Sequence, residues 1–293
     1  FGAGGDLSRR KLLPGLFHLD RAGHLSDCRV IGTALEPKSD AGFRAMAREA
    51  CEKYGRGSFS DEDWAHFERK LTWVDSSAGP AALADAVRRA EAEIVEDCRR
   101  LHYLSVPPAA APAVLGTIHD AGLVENSRVV MEKPFGTDLA SARRLNAMVH
   151  EVFEESQVFR IDHFLGKEAA LNILALRFAN GLFEPIWSRN FIDYVQIDVP
   201  ETLTVEGRGN FYDATGAFRD MVVTHLFQVL AFVAMEPPVE LTPGAITVEK
   251  NKVFRSMKGI QPEDVVRGRY DGYCEVLGFE PGSDTETLIA LRC

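Results

Sequence analysis

The chain has 293 residues, of which 46% are hydrophobic and 26% are charged, and its formal net charge is −10. This length is more than one hydrophobic core usually holds, so we expect two domains. The acidic balance, without any block of lysines and arginines, argues against a nucleic-acid or anionic-membrane partner. Five widely spaced cysteines with no C-x-x-C pair are typical of a reducing cytosol and argue against structural zinc. We therefore expect a cytoplasmic protein without a metal.

The sequence also lacks the usual signals for export or membrane insertion. The first residues show no basic segment followed by an apolar core, so no signal peptide is expected. The longest apolar stretch, residues 221–235, contains Thr224, His225 and Gln228. It is too short and too polar to span a bilayer.

The first half of the chain alternates short apolar strands with longer helical segments. Strands are predicted at residues 29–34, 71–74, 101–106, 128–131 and 157–159. Helices are predicted at residues 12–22, 41–54, 81–98, 113–121 and 138–155. This β-α-β alternation predicts an α/β fold of the Rossmann type, with a doubly wound parallel sheet.

The second half reads as an α+β domain. Helices are predicted at residues 167–179 and 216–235, and strands at residues 194–199, 265–269 and 287–291. We expect a dinucleotide-binding domain over residues 1–162 and a substrate domain over residues 163–293. Both ends look cut, because no apolar strand precedes Phe1 and the last strand has only just begun. The substrate domain is therefore expected to be incomplete.

The N-terminal turn carries part of a dinucleotide-binding fingerprint. Gly2 would permit the tight strand-to-helix turn, and Gly4 would let a pyrophosphate approach the backbone, while Leu7 stands where the third glycine would be. Alone the motif is weak, because any glycine-rich turn could match it. The strand-helix-strand context strengthens the prediction of a dinucleotide cofactor.

The run of residues 160–168, RIDHFLGKE, places a carboxylate, an imidazole and an ammonium directly after a predicted strand. If a helix begins here, His163 and Lys167 lie on the same face of its first turn. A helix N-terminus also offers free N–H groups to an anion. This arrangement suits a phosphate held by Lys167 and His163, with Asp162 left for orienting work. The alternative is an ordinary strand-to-helix corner with surface charges.

This run resembles the active-site signature of the glucose-6-phosphate dehydrogenase family. Further segments resemble the family in chain order, at residues 2–13, 131–136, 176–180, 206–209 and 219–226. The resemblance implies an enzyme that oxidises glucose 6-phosphate at the anomeric carbon to 6-phosphogluconolactone. Hydride would pass to NAD(P)+, in the entry step of the pentose phosphate pathway. We also expect a dimer or tetramer when the protein is full length.

The resemblance assigns the reacting groups. The matching family histidine is the catalytic base, which implies that His225 takes the hydroxyl proton and that Asp162 orients the imidazole, as in triads. Without the resemblance, a lone histidine in an apolar helix would usually be a hydrogen-bonded core residue. An imidazole ordinarily titrates near neutral pH, which suits the task.

The resemblance also implies the binding residues. His163 and Lys167 would hold the phosphate, and Glu201 and Asp220 would contact sugar hydroxyls. Lys133, at the carboxyl end of a buried strand, would bridge sugar and cofactor. The cofactor pyrophosphate would lie on the N-terminal turn, formed by Gly2, Gly4, Gly5, Asp6 and Leu7.

The end of the second strand bears on the choice between NADP and NAD. An arginine is common in the family where this chain has Leu35, and Glu36 follows it. A carboxylate favours the ribose hydroxyls of NAD and repels the 2′-phosphate of NADP. We therefore expect a lean toward NAD or dual use. Lys38 could restore some phosphate affinity, and the alternative is that Glu36 only points to solvent.

Two departures from the family pattern concern the substrate end. Phe164 replaces a common tyrosine, which removes one hydroxyl from the phosphate site, and Thr224 replaces a common asparagine before the base. Two rival hypotheses remain open. One is a Rossmann-fold dehydrogenase of an unphosphorylated sugar, and the other is a truncated, non-catalytic cofactor-binding protein.

Overall fold

The computed structural model describes the chain except residues 95–97, 203, 206–208 and 276–281, and it leaves out the side chain of Cys274. The described chain divides into two compact units, Phe1–Ile161 and Asp162–Cys293. The division falls one residue before the boundary that we expected from the sequence. The motif at residues 206–209 and the predicted C-terminal end of the helix at residues 81–98 extend into segments outside the described residues.

The first unit contains five parallel strands. They are β1 (Val30–Ala34), β2 (Leu71–Asp75), β3 (Arg100–Leu104), β4 (Ser127–Glu132) and β5 (Val158–Ile161). Strand β1 pairs with β2, and β4 pairs with both β3 and β5. The first two residues connect these groups: Phe1 exchanges backbone hydrogen bonds with Tyr103 and Ser105, while the Gly2 N–H donates to the Thr33 carbonyl at 2.8 Å. The predicted parallel α/β arrangement is confirmed.

Helices connect these strands. They are α1 (Leu13–Arg21), which follows a π-helical turn (Ser8–Leu12), α2 (Asp40–Tyr54), α3 (Asp61–Glu68), α4 (Gly79–Ala92), α5 (Ala111–Asp120) and α6 (Leu139–His150). Three of these helices have an N-cap residue whose side chain accepts a hydrogen bond from a backbone N–H. Ser39 caps α2, Ser60 caps α3 and Asp138 caps α6. Such caps satisfy orphan N–H donors of the first turn. The sequence analysis did not include α3.

Two hydrophobic clusters cover this unit. One includes Phe17, Phe43, Trp64, Phe67 and Trp73, and it packs α1, α2 and α3 against β2. The other is built on β3, β4 and β5, and it includes Leu115, Ile118, Val129, Val149 and Phe153. A parallel sheet needs such cover because its strands are apolar on both faces. These clusters therefore hold the strands of both sheets, and with them the residues at the strand ends.

The second unit is mainly helical. Its elements are α7 (Glu168–Phe178), α8 (Gly209–Ala217), a π-helical segment (Phe218–Leu226), α9 (Phe227–Ala234), α10 (Pro243–Ser256), and the antiparallel pair β6 (Val265–Gly268) and β7 (Leu288–Leu291). The predicted strands near residues 265–269 and 287–291 are present. Helix α10 was not predicted from the sequence.

The strand predicted at residues 194–199 is wrong. In the structure this segment has no regular secondary structure, and Tyr194, Val195 and Val199 are exposed. An extended segment becomes a strand only when a neighbour accepts and donates its backbone hydrogen bonds. Within the part of the chain that the structure describes, no strand pairs with it.

The long helix predicted at residues 216–235 is broken at its start. Gly216 has φ of +71°, and a Cβ there would lie 2.8 Å from Glu286 Oε1. That carboxylate is buried and accepts the Phe218 N–H at 2.9 Å, while the Glu286 carbonyl accepts the Ala217 N–H. A carboxylate is stabilising at the N-terminal end of a helical segment. Glu286 thus fixes the start of the segment that carries His225.

Residues Gly209–Ala234 form the one described stretch that is long and apolar enough to cross a membrane, with a mean hydropathy of 1.4 over its best window. The helical core of a soluble protein passes the same test. This stretch includes Arg219, Asp220 and the buried His225, and polar groups of this kind are costly in a bilayer.

Candidate active site

The signature run forms a tight turn and not the first turn of a helix. Asp162 Oδ1 accepts the Phe164 N–H at 3.0 Å, and three successive i to i+3 backbone hydrogen bonds follow, ending with Lys167 N–H to the Phe164 carbonyl. Lys167 is extended, with ψ of 134°, and immediately precedes α7. The expectation that His163 and Lys167 share a helical face is therefore wrong. The reason is that Asp162 satisfies a backbone donor locally and delays the helix.

The turn brings Asp162 to His225. The His225 Nδ1 atom lies 2.5 Å from Asp162 Oδ1, and His225 is only 1% exposed. The other ring nitrogen, Nε2, is buried without a hydrogen-bond partner among the described residues, as is Asp162 Oδ2. With Asp162 ionised, Nδ1 is the donor and the lone pair is on Nε2. This pair can accept a proton at Nε2 and stabilise the resulting cation.

The surroundings of Asp162 favour its ionised form. Burial tends to raise the pKa of this carboxyl group. The hydrogen bond from His225, the Phe164 N–H and the charges of His225 and His163 outweigh burial and bring the pKa below its ordinary value. Asp162 is therefore a carboxylate at neutral pH, which is the form that can orient an imidazole.

The helical turn that presents His225 is wider than an α-helical turn. Residues Phe218–Leu226 are π-helical, and the Phe227 N–H donates to the Val222 carbonyl, five residues back. Asp220 lies in the same segment and is partly buried. Widened turns of this kind are frequent at functional sites. The 3.6-residue period used on the sequence gives no sign of it.

His163 also lies beside the base, and its exposed ring meets the ring of His225 edge-on, with centroids 4.5 Å apart. Asp162, His163 and His225 each offer a ligand atom within 4.8 Å of the others, a spacing that a metal ion could bridge. The expectation of a metal-free site remains a prediction, and a chelator belongs in any assay of this site.

Lys250 of α10 is a neighbour of the site that sequence reasoning missed. Burial lowers the pKa of its ammonium group, and the charge of Asp162 works in the opposite direction. The ammonium also lies 5.3 Å from the centre of the Phe232 ring. No motif marks this lysine, because its position near Asp162 comes from helix packing within the second unit.

Two further predicted site residues of the second unit, Glu201 and Lys167, are more exposed to solvent than His225. Glu201 is exposed, and one of its carboxylate oxygens accepts the Thr202 N–H at 2.9 Å. Lys167 is exposed at the start of α7. No geometry of the described residues tests the sugar contacts assigned to Glu201 and Asp220, which stay predictions.

In the first unit, the N-terminal turn requires glycine. Gly2 has φ of +77°, and a Cβ there would lie 2.0 Å from the Ser105 carbonyl oxygen. The turn leads into the helix that begins this unit, where N–H groups are available to an anion. Asp6 and Leu7 form the start of that helix and Gly5 precedes it. The contact of this turn with a pyrophosphate stays a prediction.

The carboxyl end of β1 adjoins this turn. Leu35 is 85% exposed, and Glu36 pairs with the Lys38 ammonium at 2.6 Å. The hydrogen bond and charge of Lys38 lower the pKa of Glu36. A Cβ on Gly4 would lie 3.4 Å from Glu36 Oε2, so this carboxylate reaches the glycine turn as well as solvent.

Lys133 directly follows β4 and belongs to the first unit, and its peptide bond to Pro134 is cis. The carboxyl ends of parallel strands are where open α/β sheets place ligands. Its assigned contact with both sugar and cofactor stays a prediction.

Comparison with known proteins decides the family. Residues 1–172 match the family model for the glucose-6-phosphate dehydrogenase NAD-binding domain, and residues 174–293 match the model for its C-terminal domain. The chain belongs to the glucose-6-phosphate dehydrogenase family. The resemblance found in the signature run is thereby confirmed, and the first unit is that family's nucleotide-binding domain.

Curated relatives and solved structures agree with this assignment. Glucose-6-phosphate 1-dehydrogenase of Dickeya dadantii is 40% identical over 312 residues, and the corresponding enzyme 1 of Mycobacterium tuberculosis is 41% identical over 296 residues. A crystal structure of the Mycobacterium avium enzyme matches with a TM-score of 0.91 at 39% identity. Another match, with a TM-score of 0.91 at 34% identity, is a glucose-6-phosphate dehydrogenase in complex with glucose 6-phosphate.

These matches cover 99–100% of the chain but only part of each relative. The chain spans 62% of the Dickeya protein, 61% of the Mycobacterium tuberculosis protein and 63% of each solved chain. The described units are therefore similar to the corresponding portion of longer enzymes.

Proposed function

We propose that this protein is a glucose-6-phosphate dehydrogenase, which oxidises the anomeric carbon of glucose 6-phosphate to 6-phosphogluconolactone and reduces NAD(P)+. The observation that carries the proposal is the buried His225–Asp162 pair with an unpartnered Nε2. A buried imidazole whose second nitrogen has no partner among the described residues lacks the hydrogen bond that a structural histidine would make.

The chain's own residues divide the work of the reaction. His225 Nε2 takes the proton of the anomeric hydroxyl as the C1–H bond breaks. Asp162 holds Nδ1–H, so that the neutral ring presents its lone pair to the sugar and the imidazolium forms next to a carboxylate. A bound nicotinamide would accept the hydride. Asp220 and Glu201 bind sugar hydroxyls and thereby orient C1.

The phosphate of the substrate binds His163 and Lys167. Both side chains are exposed, and both lie on the turn that also carries Asp162. Recognition of the phosphate and orientation of the base therefore depend on the same six residues, 162–167. We assign the contact between sugar and cofactor to Lys133.

The cofactor binds the turn of residues 2–7, where the backbone of Gly2 and Gly4 faces the pyrophosphate. For the adenosine ribose, we propose use of NAD or of both cofactors. Glu36 lies within reach of the turn and accepts from ribose hydroxyls, while Lys38, bound to Glu36, is a cation available to a 2′-phosphate. Leu35 supplies no charge.

We further propose that the enzyme acts in the cytoplasm as a homo-oligomer and binds neither nucleic acid nor membrane. The acidic net charge and the absence of a basic block in the sequence support the part of this proposal that concerns nucleic acid and membrane. Size measurement by light scattering tests the oligomer, where a monomeric mass would contradict it.

Initial rates of the purified protein test the proposal. With chelator present, glucose 6-phosphate should be oxidised with either cofactor, and glucose should be a far poorer substrate. His225→Gln should lower kcat at least about 10³-fold, because general base and orientation are both lost. His119→Gln, an exposed histidine of the first unit, is the control.

The rival hypotheses give different results. Equal turnover of glucose and glucose 6-phosphate would favour a dehydrogenase of unphosphorylated sugars. Cofactor binding without turnover of either sugar would favour a non-catalytic protein.

A further inference from the structure

Phe164 lies in the signature turn between the residues to which the proposed chemistry gives roles, and it has no role in that chemistry itself. Its ring stacks on the imidazole of His225, with centroids 4.3 Å apart and an interplanar angle of 15°. The Lys167 ammonium lies 3.7 Å from the centre of the same phenyl ring. Since the imidazole covers one face of the ring, the ammonium contacts the face that is left open.

One hydrogen bond does not fix an imidazole. The bond from Nδ1 to Asp162 restrains the outer torsion of the ring, but that torsion is broad in histidine and a hydrogen bond accepts a range of donor angles, so the imidazole can still tilt while the bond is kept. A second ring lying flat against the imidazole opposes that tilt. Asp162 and Phe164 therefore restrain the same ring in two ways, and together they narrow the direction in which the Nε2 lone pair points.

The same ring connects the base to the phosphate-binding lysine. An aromatic face attracts a cation, and here one phenyl ring serves both the Lys167 ammonium and the imidazolium that His225 becomes. A phosphate that pairs with Lys167 therefore acts on a side chain that touches the same phenyl ring as His225.

Resting on the proposed function, we propose that Phe164 is a positioning residue that fixes the plane of the His225 ring and couples it to the phosphate held by Lys167. The charged and titratable groups around His225 are Asp162 on one side and His163 at its edge, while Lys167 lies across the phenyl ring. Lys250 acts on Asp162 from α10.

Three variants test this role. Phe164→Leu removes the aromatic face and keeps an apolar side chain, while Phe164→Tyr keeps the face. Phe159→Leu is a matched control, because Phe159 is also a phenyl ring with a cation near it, the Arg128 guanidinium at 5.5 Å, but it belongs to β5. Thermal unfolding identifies variants that fold, and Phe164→Met replaces Phe164→Leu if the latter does not.

The kinetic readout separates positioning from binding. With glucose 6-phosphate, Phe164→Leu should lower kcat about tenfold with a smaller change in KM, since a misaligned base costs rate in the chemical step. The isotope effect with 1-deuterated substrate should rise. Phe164→Tyr should recover most of kcat.

A spectroscopic readout does not depend on turnover. The ring protons of His225 should shift when the stacked phenyl ring is removed in Phe164→Leu, and they should not shift in Phe159→Leu. An active wild-type enzyme whose Phe164→Leu variant keeps its kcat and its isotope effect would overturn this inference alone. An inactive wild-type protein would overturn the proposed function, while the resonance shift would still report on the stack.

Discussion

The two units differ in how their candidate site residues are held. In the first unit, the Leu35–Glu36 corner directly follows β1, and the glycine turn is bonded to β1 through the Gly2 N–H before it leads into a π-helical turn. In the second unit, His225 lies on a π-helical segment, Asp162 lies in a turn, and the segment begins at a carboxylate 68 residues further along. The residues proposed to bind the cofactor thus belong to a largely regular frame, whereas those proposed to react depend on contacts between segments that are far apart in the chain.

The largest expected effect comes from Asp162. Asp162→Asn keeps the shape of the side chain but presents either an N–H or an oxygen to Nδ1, and it leaves the imidazolium without a negative neighbour. We expect kcat to fall about 10³- to 10⁴-fold with a small change in KM, as when the orienting aspartate of a triad is replaced. Steady-state kinetics with glucose 6-phosphate measure it.

A matched control is Asp264→Asn. Asp264 is also a carboxylate of the second unit, but its partner Arg292 is an exposed side chain. Equal losses in both variants would show that the Asp162 effect is a general loss of structure. A kcat within about tenfold of wild type in Asp162→Asn would contradict the assigned role of the carboxylate.

The contrast between the units also shows what the sequence could predict. The strands of the first unit were found because a buried parallel strand is a short apolar run. The pair His225 and Asp162 was found only through the family resemblance. They are 63 residues apart, and no periodicity links them.

Other features of the site could not be predicted from the sequence. In the π-helical segment, each backbone N–H donates to the carbonyl five residues earlier and not four. The spacing of apolar residues in the sequence does not distinguish these two patterns. The stack of Phe164 on His225 and the approach of Lys250 to Asp162 arise from packing between distant segments. The wrong strand at residues 194–199 had the right alternation of side chains but no described neighbour with which to pair.

The next largest expected effect is a change in cofactor preference. It concerns a residue of the first unit. Leu35 is almost fully exposed at the end of β1, so a longer side chain fits without repacking. Leu35→Arg should raise the ratio of kcat/KM for NADP+ to that for NAD+ by about 10- to 100-fold, the range expected for one hydrogen bond to a charged phosphate.

Leu35→Gln is the control for this change, because it adds length and polarity without charge. An equal change in the ratio for both variants would show that charge is not the cause. An unchanged ratio in Leu35→Arg would mean that the 2′-position of the cofactor does not lie beside residue 35.

The smallest expected effect concerns the break before the π-helical segment. Gly216→Ala places a Cβ at φ of +71° and 2.8 Å from Glu286 Oε1, the oxygen that accepts the Phe218 N–H. We expect a loss of about 1–3 kcal/mol in the free energy of unfolding, from backbone strain. Gly244→Ala in α10 is the control, because nothing lies within 4 Å of its added Cβ. Urea unfolding measures the free energy of unfolding of both variants.

The same substitution should also affect the kinetics. The kcat of folded Gly216→Ala should fall while the KM for the cofactor stays constant. The reason is that the displaced segment carries His225, whereas the glycine turn belongs to the other unit. A rise in cofactor KM with unchanged kcat would show that the irregular start of this segment does not control the base.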